Sequence, residues 1–282
     1  MLRGNTVENT KRKYVGKCIY CGATENLQDE HCIPESLNGL HLLEKASCSK
    51  CGKITGKFEG RFTRDSLLPL RTAWNMKSKR SKSKRPKEFP MRFIIKGEQR
   101  LINVPVEDHI PLIPLVEIGP MGKYPFNLHK KGLKHGQFYI DPFNSRSEEH
   151  LKNIQKKYDA DDIGVDYNLH TEDFLRMIAK IAYCFTVWEY GLKNIGEVYV
   201  LPAILGQSND IWHWVGGDGI QEIYKESKNM KADHVVSTGF LSNGELQTRV
   251  KLFKNSETPE YEVAVGRLTK LAHDFYRSMG FC

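Results

Sequence analysis

The sequence predicts an α+β fold: a small N-terminal ββα module tied together by cysteines, then a larger C-terminal α+β domain with a mainly antiparallel sheet. Three observations carry this. Two Cys-x-x-Cys pairs, Cys18/Cys21 and Cys48/Cys51, bracket a strand-turn-strand pattern. A basic, serine-rich stretch at residues 71–90 separates the module (residues 14–70) from the rest (residues 91–282). Beyond it, short strands divided by Gly and Pro surround one long apolar helix.

The chain has 282 residues, 40% hydrophobic, 27% charged and 10% aromatic, close to globular averages, so neither general disorder nor a fibrous repeat is indicated. Its longest apolar stretch, Met177 to Trp188, contains Lys180 and falls short of the roughly 20 residues a bilayer demands. No membrane partner is expected. The first thirty residues are polar and charged, without a secretory pattern, so the expected location is cytoplasmic and reducing.

Net charge is +8, unevenly spread. Residues 1–90 carry 19 Lys/Arg against 9 Asp/Glu, whereas the remainder is close to neutral. Such a local excess suits a polyanion, because neutralising phosphates releases condensed counterions.

Two residues between thiolates let both sulfurs reach one ion from a single tight turn, and two such turns complete the tetrahedron that Zn²⁺ prefers. Cys18, Cys21, Cys48 and Cys51 are therefore assigned to a structural zinc. Gly22 and Gly52, which follow the two pairs, fit knuckle backbones needing positive φ. Cys32 reads as a small buried hydrophobe, and Cys184 and Cys282 as inert thiols.

Between the knuckles, residues 27–34 and 42–47 read as strands joined at Asn38-Gly39, a hairpin turn signal. After Cys51, Ile54, Phe58 and Phe62 recur at four-residue steps, one face of a helix.

With Cys18/Cys21, Glu30-His31-Cys32-Ile33-Pro34 and Cys48/Cys51 in this order, residues 14–65 resemble the HNH endonucleases, the ββα-metal or His-Me finger nucleases, in their zinc-bearing branch. The resemblance implies a metal-dependent endonuclease that hydrolyses DNA, or RNA, with His31 as general base. Glu30 would hold a catalytic Mg²⁺ or Mn²⁺, which prefers oxygen ligands. Strand alternation puts Asp29 on the face of His31, so either carboxylate can be the ligand. Glu59, otherwise an exposed helix residue, has the reach to complete the shell. Gly52 stands where the family usually carries a second ligand, Asn or His, and residues 44–46 lack its middle Asn. The alternative is a catalytically impaired zinc module that binds nucleic acid.

Residues 77–87 hold seven cations and no apolar side chain, reading as an extended segment that clamps phosphate backbone. Lys79, Arg80, Lys82, Lys84 and Arg85 would make those contacts, and Lys53, Lys57 and Arg61 continue the field along the helix.

Past residue 90, residues 91–95, 101–106, 114–118 and 137–140 read as strands and residues 147–158 as a polar helix. Thr171 caps a helix with the stripe Phe174, Met177, Ile178, Ile181, Phe185 and Trp188, buried on one face and ended by Gly191. Residues 197–205 and 211–215 read as strands, the latter placing Trp212 and Trp214 on one face. Residues 234–241, 247–253 and 260–268 form a meander. No nucleotide-binding loop occurs in this domain, which is expected to serve a protein partner or regulation.

Overall fold

The computed structural model describes residues 11–78, 80–123, 133–144, 146–217, 234–254, 256 and 258–280. Lys79 and Cys282 lie outside them, as does the side chain of Lys82. The fold is α+β with mostly antiparallel sheets, as the sequence predicts. Among the described residues no helix is long and apolar enough to cross a membrane.

The N-terminal sheet has three strands, with the third in sequence at its centre. Strand β1 (Lys11–Tyr14) runs parallel to β3 (His41–Cys48), and β2 (Leu27–His31) runs antiparallel to it. Helix α1 (Ser49–Gly60) leaves β3 directly, completing the expected ββα order. The connection between β2 and β3 is longer than a tight hairpin. Asn38, at φ 63°, caps a 3-10 turn over Glu35–Leu37. A Cβ on Gly39 would come within 2.0 Å of the Ile33 carbonyl oxygen, so glycine is required there by close backbone approach.

Helix α1 buries Phe58 and passes into a π-helical turn, Arg61–Ser66, that buries Phe62. Helix α2 (Leu68–Ala73) follows, with Pro69 in its first turn, where a missing N–H costs nothing.

Strands β4 (Glu88–Ile95), β5 (Glu98–Pro105) and β8 (Asp162–Gly164) make a sheet of order β5-β4-β8. Its small core gathers Met91, Phe93, Val104 and Ile110 with Ile154 of α3 (Glu148–Lys157). Strand β6 (Leu112–Ile118) pairs with β7 (Phe138–Asn144). The predicted meander is present as β11 (Val235–Phe240), β12 (Glu245–Lys251) and β13 (Glu260–Leu268), all antiparallel. Strands β9 (Ile195–Val198) and β10 (Val215–Gly217) add to β13, and α7 (Lys270–Ser278) closes the described chain, capped by Thr269.

Two predicted strands are corrected. Only residues 195–198 extend the sheet, and the chain then turns into α5 (Leu201–Ile204), because Pro202 cannot donate to a ladder but fits a first helical turn. Residues 211–214 form one turn of helix, α6 (Ile211–Trp214), not a strand. Trp212 and Trp214 therefore do not share a face: the first stacks on Phe138 and the second on Tyr199.

Helix α4 (Thr171–Tyr190) is the centre of the molecule, and it is buried nearly all round rather than along one stripe. It packs on β11, β12 and β13 on one side and on α1 and β3 on the other. Phe62 and Phe174 stand 5.0 Å apart, Tyr183 donates to the Ile19 carbonyl at 2.5 Å, and Tyr20 meets Cys184 Sγ at 3.4 Å. The main apolar core thus runs without interruption from Ile19 through Phe62 and Phe174 to Val263. A helix apolar on all sides is what a doubly covered core element requires.

Candidate functional site

The four cysteines of the two knuckles converge. Their sulfurs all lie within 4.8 Å of one another, and Cys21 and Cys48 Sγ are 3.6 Å apart. Gly22, at φ +78°, turns the first knuckle so that the backbone N–H groups of Tyr20 and Cys21 face the Cys18 sulfur. Gly52 does not share that role; it is an ordinary helical residue of α1, and this corrects the sequence expectation. Cys48 is the N-cap of α1, and the Cys51 N–H directed at its sulfur brings its thiol down to about 7, as suits a helix N-terminus. Burial raises Cys18 and Cys51. Four thiol groups in this closed set could hold a tetrahedral ion such as zinc. Cys32 is fully buried and stands outside the cluster.

His31 ends β2 and faces a cavity of about 590 Å³. Its Nδ1 is buried without a hydrogen-bond partner. Burial lowers the His31 pKa; the opposing charge of Glu35 and the like charge of Lys180 act after it, and the net shift is downward, so the neutral ring is favoured. Around the cavity the charges are sorted by the elements that supply them. Asp29, Glu30, Glu35 and Glu59 are contributed by β2, the 3-10 turn and α1. Arg64, Arg71, Lys77, Arg80 and Arg85 come from the chain that follows α1.

Glu30 and Glu59 do converge, but on a side chain rather than on open space. Lys180 Nζ lies 2.7 Å from Glu30 Oε1 and 2.8 Å from Glu59 Oε1, and it also donates to the His31 carbonyl. The lysine is fully buried, with Glu30 and Glu59 at 9% and 18% side-chain exposure. Glu59 is thus not the exposed helix residue expected from sequence. Burial alone would lower the Lys180 pKa, yet the two carboxylates outweigh it and hold the ammonium well above its usual range. Burial pushes Glu59 up. The sequence signal for this contact is a single lysine within the apolar run Met177 to Trp188.

Asp29 is committed elsewhere: its Oδ1 accepts from the Lys45 N–H at 3.0 Å, where β3 bulges and Lys45 adopts φ 52°. Gly52 borders the cavity, and a Cβ there would lie 3.3 Å from Ser47 Oγ and 3.8 Å from Gln28 Oε1. A hard cation needs several oxygens free to turn toward it. Here one carboxylate holds a backbone amide, two hold an ammonium, and position 52 has no side chain. As arranged, these residues do not fit a catalytic Mg²⁺ or Mn²⁺.

Of the residues expected to meet nucleic acid, Arg80 and Arg85 line the cavity. Lys84 is exposed within a 3-10 turn, Lys82–Lys84. Lys53 and Lys57 are exposed on α1 and do not reach the cavity, and Arg61 turns away to pair with Asp173 of α4. Lys77, Ser78, Arg80, Arg85 and Pro86 border the cavity: the Lys77 N–H donates to Asn38 Oδ1 at 3.1 Å, and Arg85 Nη1 to Asn75 Oδ1 at 2.8 Å. Arg71, which sequence reasoning did not single out, is 9% exposed and borders the same cavity.

Compared with known protein families, curated proteins and solved structures, the chain gives no match.

Proposed function

We propose that the protein is a zinc-stabilised nucleic-acid phosphodiesterase of the HNH kind, acting on DNA or RNA at the His31 cavity. One observation carries the reading: an imidazole kept neutral by burial, its Nδ1 without a partner, shares a cavity with five cationic side chains. The basic residues draw in the polyanion, at the cost of sensitivity to salt. His31 takes a proton from water, whose oxygen attacks phosphorus. The bond to one sugar oxygen breaks, and that oxygen is protonated from solvent, leaving a phosphomonoester and an alcohol. Lys180 holds the His31 carbonyl and so fixes the end of β2 from which the ring projects. The four cysteines, in this reading, bind zinc and serve structure.

Plasmid incubated with the parent and with His31→Ala, in Mg²⁺, in Mn²⁺ and in EDTA, tests it. Cutting by the parent in any of these and not by the variant is the expected result. Unchanged cutting by the variant removes His31 from the mechanism. A second reading, a module that binds nucleic acid without cutting it, is favoured by the capture of Glu30 and Glu59 by Lys180. Gel retardation by both proteins with no nicking in any condition would select it.

A further inference from the structure

One of the arginines that line the cavity is held in a way that a solvated charge is not. Arg71 is buried, yet its guanidinium meets only backbone carbonyls. Nε donates to Ser36 at 2.8 Å, Nη1 to Thr63 at 3.0 Å and Nη2 to Lys77 at 2.9 Å. These three bonds fix the fork while leaving two of its five N–H groups and all of its charge uncompensated. Arg85 Nε is buried beside the cavity with no acceptor. Arg64 is held by donating from Nε to the Gly60 carbonyl at 3.3 Å, and its guanidinium lies over Gly60 so closely that a Cβ there would meet Nη2 at 2.4 Å.

Among the described residues none of these three arginines has a carboxylate partner. Burial depresses the Arg71 pKa, and the like charges of Arg85 and Arg64 depress it further. The acidic residues that border the cavity do not relieve this. Glu30 and Glu59 are taken by Lys180 and Asp29 by Lys45, while Glu35 lies close enough to act on His31. With Arg71 buried, Arg85 partly so and Arg64 exposed beside them, guanidinium groups gathered without an anion cost free energy, and an anion entering the cavity recovers it.

We propose that Arg64, Arg71 and Arg85 form a subsite that seats one phosphate of a nucleic-acid backbone beside His31. A planar fork held in place with two N–H groups still unused suits oxygens of a tetrahedral phosphate, which lysine cannot match. The inference rests on the reading above only in naming a nucleic acid as the source of the phosphate.

Inorganic phosphate is titrated into the parent, Lys57→Gln, Arg71→Lys and Arg85→Gln by calorimetry, with circular dichroism to check folding. The parent binds saturably, and Lys57→Gln, outside the cavity, binds alike. Arg85→Gln weakens binding at least about tenfold, the worth of one charge-assisted hydrogen bond. Arg71→Lys weakens it further. A short single-stranded oligodeoxynucleotide displaces the phosphate. No saturable binding by the parent, or unchanged binding in a folded Arg85→Gln, overturns the subsite. Phosphate that the oligodeoxynucleotide does not displace overturns the nucleic-acid source. A parent that binds phosphate but never cuts plasmid overturns the nuclease reading and leaves the subsite standing.

Discussion

Lys180 Nζ and Glu30 Oε1 stand 2.7 Å apart across the seam between the central helix and the cysteine-tied sheet. With Glu59 at 2.8 Å and the His31 carbonyl as third acceptor, one ammonium ties α4 to β2 and α1 at once. Removing it leaves two carboxylates out of water with no countercharge. Lys180→Met is expected to destabilise the fold by about 3 to 5 kcal/mol. Adding Glu30→Gln and Glu59→Gln to it should recover much of the loss. Urea denaturation of the single and triple variants checks this, and a Lys180→Met protein as stable as the parent would refute the pairing.

The lowered pKa of His31 has a definite sign in any pH profile. Burial favours the neutral ring, so protonation sets in at lower pH than for an ordinary histidine. The acid limb of cleavage should therefore lie below pH 6.5. Folding stability from the neutral ring is present above 6.5 and is lost as pH falls through the depressed value. Initial nicking rates between pH 4.5 and 8 measure the limb, which an unperturbed histidine would place about half-way at 6.5.

Metal occupancy is measurable directly. Elemental analysis of freshly purified protein should give one zinc per chain, and Cys51→Ser should lose it. Because Ile19, Tyr20, Phe58 and Phe62 belong to the main core, stripping zinc with a strong chelator should lower the thermal midpoint of the whole chain, not only of a local transition. A chelated protein with an unaltered melt would show that the cysteines need no ion.

Two glycines should respond in opposite directions to alanine. Gly56 lies within α1 with nothing inside 4 Å of an added Cβ, so Gly56→Ala is expected to stabilise by about 0.5 to 1 kcal/mol. Gly39→Ala must push against the Ile33 carbonyl at 2.0 Å and should cost about 1 to 3 kcal/mol. Thermal melts of both variants decide the matter.

Much of this architecture is legible in the residues. The Cys-x-x-Cys pairs locate the cluster because their chemistry is local, and Phe58 and Phe62 locate the buried face of α1 because helical spacing is local too. The meander of β11, β12 and β13 follows from alternation and from the turn at Gly244. Three features depend on contacts between distant residues. Lys180, some 150 residues from Glu30, reads only as an odd charge in an apolar run until the fold brings them together. Arg71 is one arginine among many until Ser36, Thr63 and Lys77 close on it. Strand β1, with four exposed residues, has no alternation to betray it. Pro202 is the one misread feature whose correction was available locally.

The unbroken packing from Ile19 to Val263 has a mechanical consequence. A finger whose inner side is also a wall of the central core cannot swing to greet a ligand, so His31 is bolted in place. Whatever adjustment an incoming strand requires falls instead on the strand itself and on exposed side chains that border the cavity, such as Arg64 and Arg80. The molecule is in effect an anvil.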